Sequence, residues 1–81
     1  MENQTFKIEN IYVPVKRRKL IDPEKVNSIA ESMLVEGQRT PILVRSDGEK
    51  LVLVEGLQRL EASRSLREET IVDLVVQARR N

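Results

Sequence analysis

The chain has 81 residues, enough for one hydrophobic core and no second. It is 40% hydrophobic and 33% charged, and its net charge of +1 argues against a general polyanion binder. With no cysteine and no histidine, it has no disulfide, no thiolate nucleophile and neither the commonest general base nor the commonest zinc ligand.

Any catalysis therefore rests on carboxylates, Lys, Ser, Tyr12 or a bound ion. Aromatics are confined to Phe6 and Tyr12, so Leu, Ile, Val and Met must build the core. The polar opening Met1-Glu2-Asn3-Gln4-Thr5 does not read as a secretory signal, and no apolar run approaches the ~20 residues of a membrane span. These features predict a single domain over 1–81, with its core at 6–77, in the cytoplasm and without membrane contact.

In chain order, Phe6, Ile8, Ile11, Val13 and Val15 alternate, with an irregularity at Glu9 and Asn10. They predict a first strand ending near Pro14 and Val15, where the missing N–H of proline favours a sheet edge or a strand end. The basic run Lys16-Arg17-Arg18-Lys19 follows as a connector and is echoed by Arg79 and Arg80. Asp22-Pro23-Glu24 is a helix start, with a capping carboxylate, a proline at the first turn and an acid at the positive end of the dipole. Val26, Ile29, Ala30 and Met33 then repeat at helical spacing up to Gly37, predicting a helix over 23–36.

Residues 41–45 read as a strand, Ser46-Asp47-Gly48-Glu49 as a turn and residues 51–54 as the antiparallel partner. These continuous apolar runs predict strands covered on both faces. Gly56 breaks the pattern, residues 57–66 form a second helix, and residues 71–76 form a last, Val-rich strand. That strand offers a route to a homodimer by edge pairing. The order β-α-β-β-α-β is that of a small α/β layer structure, a mixed sheet of about four strands packed with two main helices.

Two places carry candidate chemistry. Val54-Glu55-Gly56-Leu57-Gln58-Arg59 runs from a strand through glycine into a helix, where unpaired N–H groups attract anions and glycine lets a phosphate approach the backbone. Arg59 is a cation in the first helical turn, opposed by the dipole, and a bound phosphate would relieve that conflict. The alternative is a glycine turn followed by a solvated arginine. On the first helix, Lys25, Ser28 and Ser32 form a polar stripe beside the apolar face, able to hold phosphate oxygens or to serve as an ordinary wet surface.

Val13-Pro14-Val15, Asp22 to Val26, Ser28-Ile29, Ser32, Gly37 to Val44 and Val54 to Ala62 together resemble the ParB/sulfiredoxin superfamily over nearly the whole chain. The family's G-x-x-x-P segment falls on Gly37 to Pro41. Its second phosphate motif falls on Gly56-Leu57-Gln58-Arg59, where the glycine and the final arginine are kept and the middle pair is replaced. The resemblance implies nucleotide and phosphate binding at Lys25, Ser28, Ser32, Gly56, Gln58 and Arg59, with Arg17 or Arg18 reaching a nucleotide or a nucleic-acid backbone. It implies CTP or ATP with Mg²⁺ as the ligand, and no metal site built from protein alone.

Leu57 stands where sulfiredoxins carry their catalytic cysteine, so reduction of oxidised peroxiredoxin cysteines is excluded by chemistry. The resemblance implies a nucleotide-binding ParB-like domain in DNA partition, plasmid transfer or gene regulation. It would act through DNA or a DNA-bound protein partner, since the DNA-reading helix-turn-helix of ParB clamps lies beyond the matched region. Two other readings stay open. One is a small phosphotransferase, nucleotide hydrolase or nuclease using Glu55. The other is a non-catalytic interaction module whose pocket has decayed.

Overall fold

The irregularity at Glu9 and Asn10 is one turn of 3-10 helix, Ile8–Asn10, and it splits the expected first strand in two. The computed structural model describes residues 3–38 and 40–76; Arg79 and Arg80 lie outside the described residues. Strand β1 (Asn3–Lys7) pairs antiparallel with β5 (Thr70–Val76), setting Phe6 opposite Ile71. Strand β2 (Ile11–Tyr12) pairs in parallel with β4 (Lys50–Glu55), setting Ile11 opposite Leu51. Strand β3 (Ile42–Asp47) lies between β5 and β4, and the five-stranded mixed sheet runs β1-β5-β3-β4-β2. The turn thus sends two adjacent pieces of chain to opposite edges of the sheet.

The connector after Pro14 is also more ordered than its charge suggests. It forms α1 (Val15–Arg18), a single turn in which the N–H groups of Arg17 and Arg18 both donate to the carbonyl of Pro14. Helix α2 (Pro23–Glu36) has the expected limits. Asp22 accepts from the Glu24 N–H at 3.0 Å, and Gly37, at φ +76°, closes the helix by donating to the Met33 carbonyl. In the hairpin, Ser46 and Asp47 belong to β3, so the turn is Gly48 and Glu49 alone.

Helix α3 (Leu57–Ser65) lays Leu57 and Leu60 on a core of Ile42, Val44, Leu53 and Ile71. Ile42, Leu53 and Leu60 are fully buried, each contributing roughly 1.5–3 kcal/mol of burial. Helix α2 packs onto α3, with Val26 and Ala30 against Ala62. Because α2 buries itself on α3, both long helices lie on one side. Of the opposite face, Val52 is buried while Leu43, Val72, Leu74 and Val76 remain half-buried, so the coverage expected on both faces of β3 and β4 is present only in part.

The Val-rich last strand is interior, flanked by β1 and β3, which closes the expected route to edge pairing through it. The sheet edges are β1 and β2. Among the described residues, no helix is long and apolar enough to cross a membrane.

Candidate functional site

Gly56 sits at φ +105° and ψ 29°, in the left-handed region, at the cap of α3. A Cβ there would lie 2.6 Å from Cγ2 of Ile42, so only glycine fits both the dihedral and the space. No side chain caps α3, and its first helical bond runs from the Leu60 N–H to the Gly56 carbonyl at 2.8 Å. The N–H groups of Leu57, Gln58 and Arg59 precede that bond and form the positive end of the helix. Helix α2 differs, since Asp22 caps it.

Arg59 is half-buried and shared by two adjoining clefts. One, of about 530 Å³, also takes Ser32 of α2 with Gly37 and Thr40 of the following loop. The other, of about 260 Å³, also takes Glu55, Gly56 and Pro41. Thr40 lines both, so Gly37, Thr40 and Pro41 on one side and Gly56 and Arg59 on the other are walls of one groove. Lys25 and Ser28 lie exposed on the same stripe as Ser32, toward the start of α2 and beyond these two clefts. Glu55, exposed at the end of β4, directly precedes the glycine and lines the smaller cleft.

Three expected binding residues are engaged with the protein itself. The Gln58 amide donates to the Leu20 carbonyl and accepts from the Asp22 N–H, both at 2.8 Å, clasping the α1–α2 connector to the start of α3. Arg17 donates from Nη1 to the carbonyls of Leu53 and Val54, at the end of β4. Arg18 donates from Nε to the Val13 carbonyl at 3.1 Å and stands over the Tyr12 ring. The Gln58 side chain is thus held toward the connector, and Arg18 lines a cleft with Tyr12 rather than the groove of Arg59.

Two residues escaped the sequence reading. The Gln38 amide donates to the Val72 carbonyl at 2.9 Å and accepts from the Val72 N–H at 2.8 Å, fixing the loop wall of the groove to β5. Asp73 is fully buried on the helix-facing side of β5, and neither carboxylate oxygen has a hydrogen-bond partner among the described residues. Burial pushes its carboxyl up to about 7 from the usual 3.8. Its only signal in the sequence is a lone acid inside an otherwise apolar strand. Among the described residues no three carboxylates gather closely enough to hold a metal ion.

A mixed sheet with two helices on one face, and a glycine-led helix start opening on a groove, define a small α/β domain of the sulfiredoxin type. Sulfiredoxin from Arabidopsis thaliana superposes with a TM-score of 0.87 at 24% identity, covering 96% of this chain and 88% of that one. The C-terminally truncated chromosome-partitioning protein ParB from Caulobacter crescentus, complexed with CTP-gamma-S, gives 0.82 at 22% identity. It is covered over 46% of its length by 98% of this chain, so this chain spans under half of that protein. A free serine kinase in complex with ADP gives 0.80 at 11% identity, over 94% of this chain and 31% of the kinase. No curated protein matches the chain. The family model of the ParB N-terminal domain matches residues 2–81, and the chain belongs to that family.

Proposed function

We propose that the chain binds a nucleoside triphosphate, CTP or ATP, with its phosphates at the start of α3. The observation that carries this is the uncapped, glycine-led helix start sharing a groove with Arg59, Ser32 and the Gly37-to-Pro41 loop. The backbone donors of residues 57–59 and the Arg59 guanidinium would take one phosphate, and Ser32, Ser28 and Lys25 the others along α2. The CTP-gamma-S complex of the ParB neighbour and the ADP complex of the kinase neighbour support the reading. One protein carboxylate, Glu55, beside a triphosphate is enough for Mg²⁺, which keeps several waters and takes most other ligands from phosphate.

In the cell the domain would act in DNA partition, plasmid transfer or gene regulation, through DNA or a DNA-bound protein partner. Calorimetric titration with CTP, ATP and GTP, with and without Mg²⁺, tests the binding. Absence of heat with all three at millimolar concentration overturns it.

A second reading, phosphoryl transfer or hydrolysis, is favoured by one observation: Glu55 lines the same cleft as Gly56 and Arg59. It predicts turnover that Glu55→Gln abolishes while nucleotide affinity is kept. The decayed-pocket reading draws on the replaced middle pair, with Leu57 in the core and the Gln58 amide engaged elsewhere. It predicts no loss of function when Lys25 and Arg59 are both replaced.

A further inference from the structure

The turn at Val15–Arg18 and the two residues after it use their side chains in an unusual way. Its backbone is tied down from several sides: half-buried Arg17 holds the carbonyls of Leu53 and Val54, Arg18 holds that of Val13, and Gln58 clasps the backbone of Leu20 and Asp22, while Lys16 and Lys19 stand exposed. The apolar side chains point outward, with Val15 61% and Leu20 65% exposed. A connector needed only to bridge β2 and α2 would bury these two apolar side chains. Instead both are exposed on a turn whose backbone is held by these bonds, which lowers the ordering cost of binding.

The same turn concentrates charge. Lys16 to Lys19 carry four of the fourteen Lys and Arg, and no acid occurs between Tyr12 and Ile21. The rest of the chain sets ten Lys and Arg against thirteen Asp and Glu, so this turn is a local positive pole on an otherwise acidic protein.

We infer that Val15, Lys16, Lys19 and Leu20 form a docking surface for an acidic protein segment that carries apolar side chains. Charge complementarity selects an acidic partner, and the exposed pair selects a peptide over a nucleic acid, whose phosphates have no use for Val15 and Leu20. The neighbouring aromatic does not favour nucleic acid either. Lys50 stands 5.5 Å and Arg18 6.0 Å from the centre of the Tyr12 ring, which crowds the face on which a base would stack. The inference does not depend on nucleotide binding and is tested without nucleotide.

The test selects a random twelve-residue peptide library displayed on phage against the wild-type chain. Enriched peptides are then titrated by fluorescence anisotropy beside a 20-base-pair duplex DNA. The expected peptides combine Asp or Glu with Leu, Ile or Phe. Leu20→Ser and Val15→Ser should each weaken them about tenfold, and Lys16→Glu with Lys19→Glu should abolish binding. Unchanged circular dichroism and melting temperature would show that the variants fold. Enrichment of neutral or basic peptides, binding indifferent to Leu20→Ser and Val15→Ser, no enrichment at all, or duplex DNA bound more tightly than any peptide would each overturn the inference.

Discussion

Gly56 and Ile42 touch so closely that a Cβ on the glycine would stand 2.6 Å from Cγ2 and 2.9 Å from Cβ of the isoleucine. Ile42 is fully buried at the start of β3, and Gly56 ends the approach from β4 to α3. The helix start that would face a phosphate is therefore seated directly on the core. Gly56→Ala adds a left-handed strain and an overpacked contact, for a combined cost of about 2–4 kcal/mol. Thermal melting should show a clear fall, with loss of nucleotide binding in whatever fraction stays folded. A melt within a degree of wild type would show that the junction is softer than its geometry implies.

Among the described residues, Arg59 is the one basic side chain common to both clefts of the groove. Arg59→Ala should weaken CTP or ATP by about tenfold to a hundredfold, and Arg59→Lys should recover only part of this because the planar fork is lost. Ser32→Ala should cost less, since a single neutral hydroxyl is removed. Calorimetry on the three variants checks the order. Equal affinities across the set would move the phosphates away from this groove.

Asp73 makes stability depend on pH in a direction opposite to most carboxylates. Its carboxyl ionises near 3.8 in the unfolded chain and at about 7 in the fold, so between these values the native state holds a proton that the unfolded state has released. Stability is thus greatest at or below about pH 4 from this group and is lost as pH rises through about 7, by several kcal/mol at most. Urea unfolding at pH 5, 6, 7 and 8 should show the wild type losing stability relative to Asp73→Asn as pH rises. Parallel pH profiles for the two proteins would be the contrary result.

The Gln58 clasp predicts a structural role for a residue placed inside a phosphate motif. Gln58→Ala removes a donor and an acceptor that hold the α1–α2 connector, at a cost of about 1–3 kcal/mol. Gln58→Glu keeps the acceptor for the Asp22 N–H and sets a carboxylate against the Leu20 carbonyl, so it should not restore stability. Chemical denaturation of both variants separates the clasp from a direct ligand contact, which would leave the stability of the free protein unchanged.

Much of the groove was legible in the residues. Gly56 announced the strand-to-helix junction because no other residue tolerates its dihedral, and Gly37 with Pro41 marked the loop that became the opposite wall. What stayed hidden was where the long polar side chains turn. The resemblance puts Gln58 of the phosphate motif, and Arg17 or Arg18 of the connector, at a ligand; the fold shows in addition that each bonds backbone groups of distant or neighbouring segments. Gln38 and Asp73 were not singled out, because one is an ordinary loop residue and the other a single acid among branched apolar residues.

By itself the sequence determined the elements that depend on neighbours a few residues away. The limits of α2 follow from Asp22, Pro23 and Gly37, the hairpin from Asp47 and Gly48, and the start of α3 from Gly56. Caps, turns and periodicity act within one or two turns of chain, so they can be read locally. Only the tertiary structure decided that the first strand divides between opposite edges, that β5 lies inside the sheet and that Asp73 is fully buried on it. Those outcomes depend on which distant surfaces pair with or bury one another, as β1 does with β5 and α2 with α3.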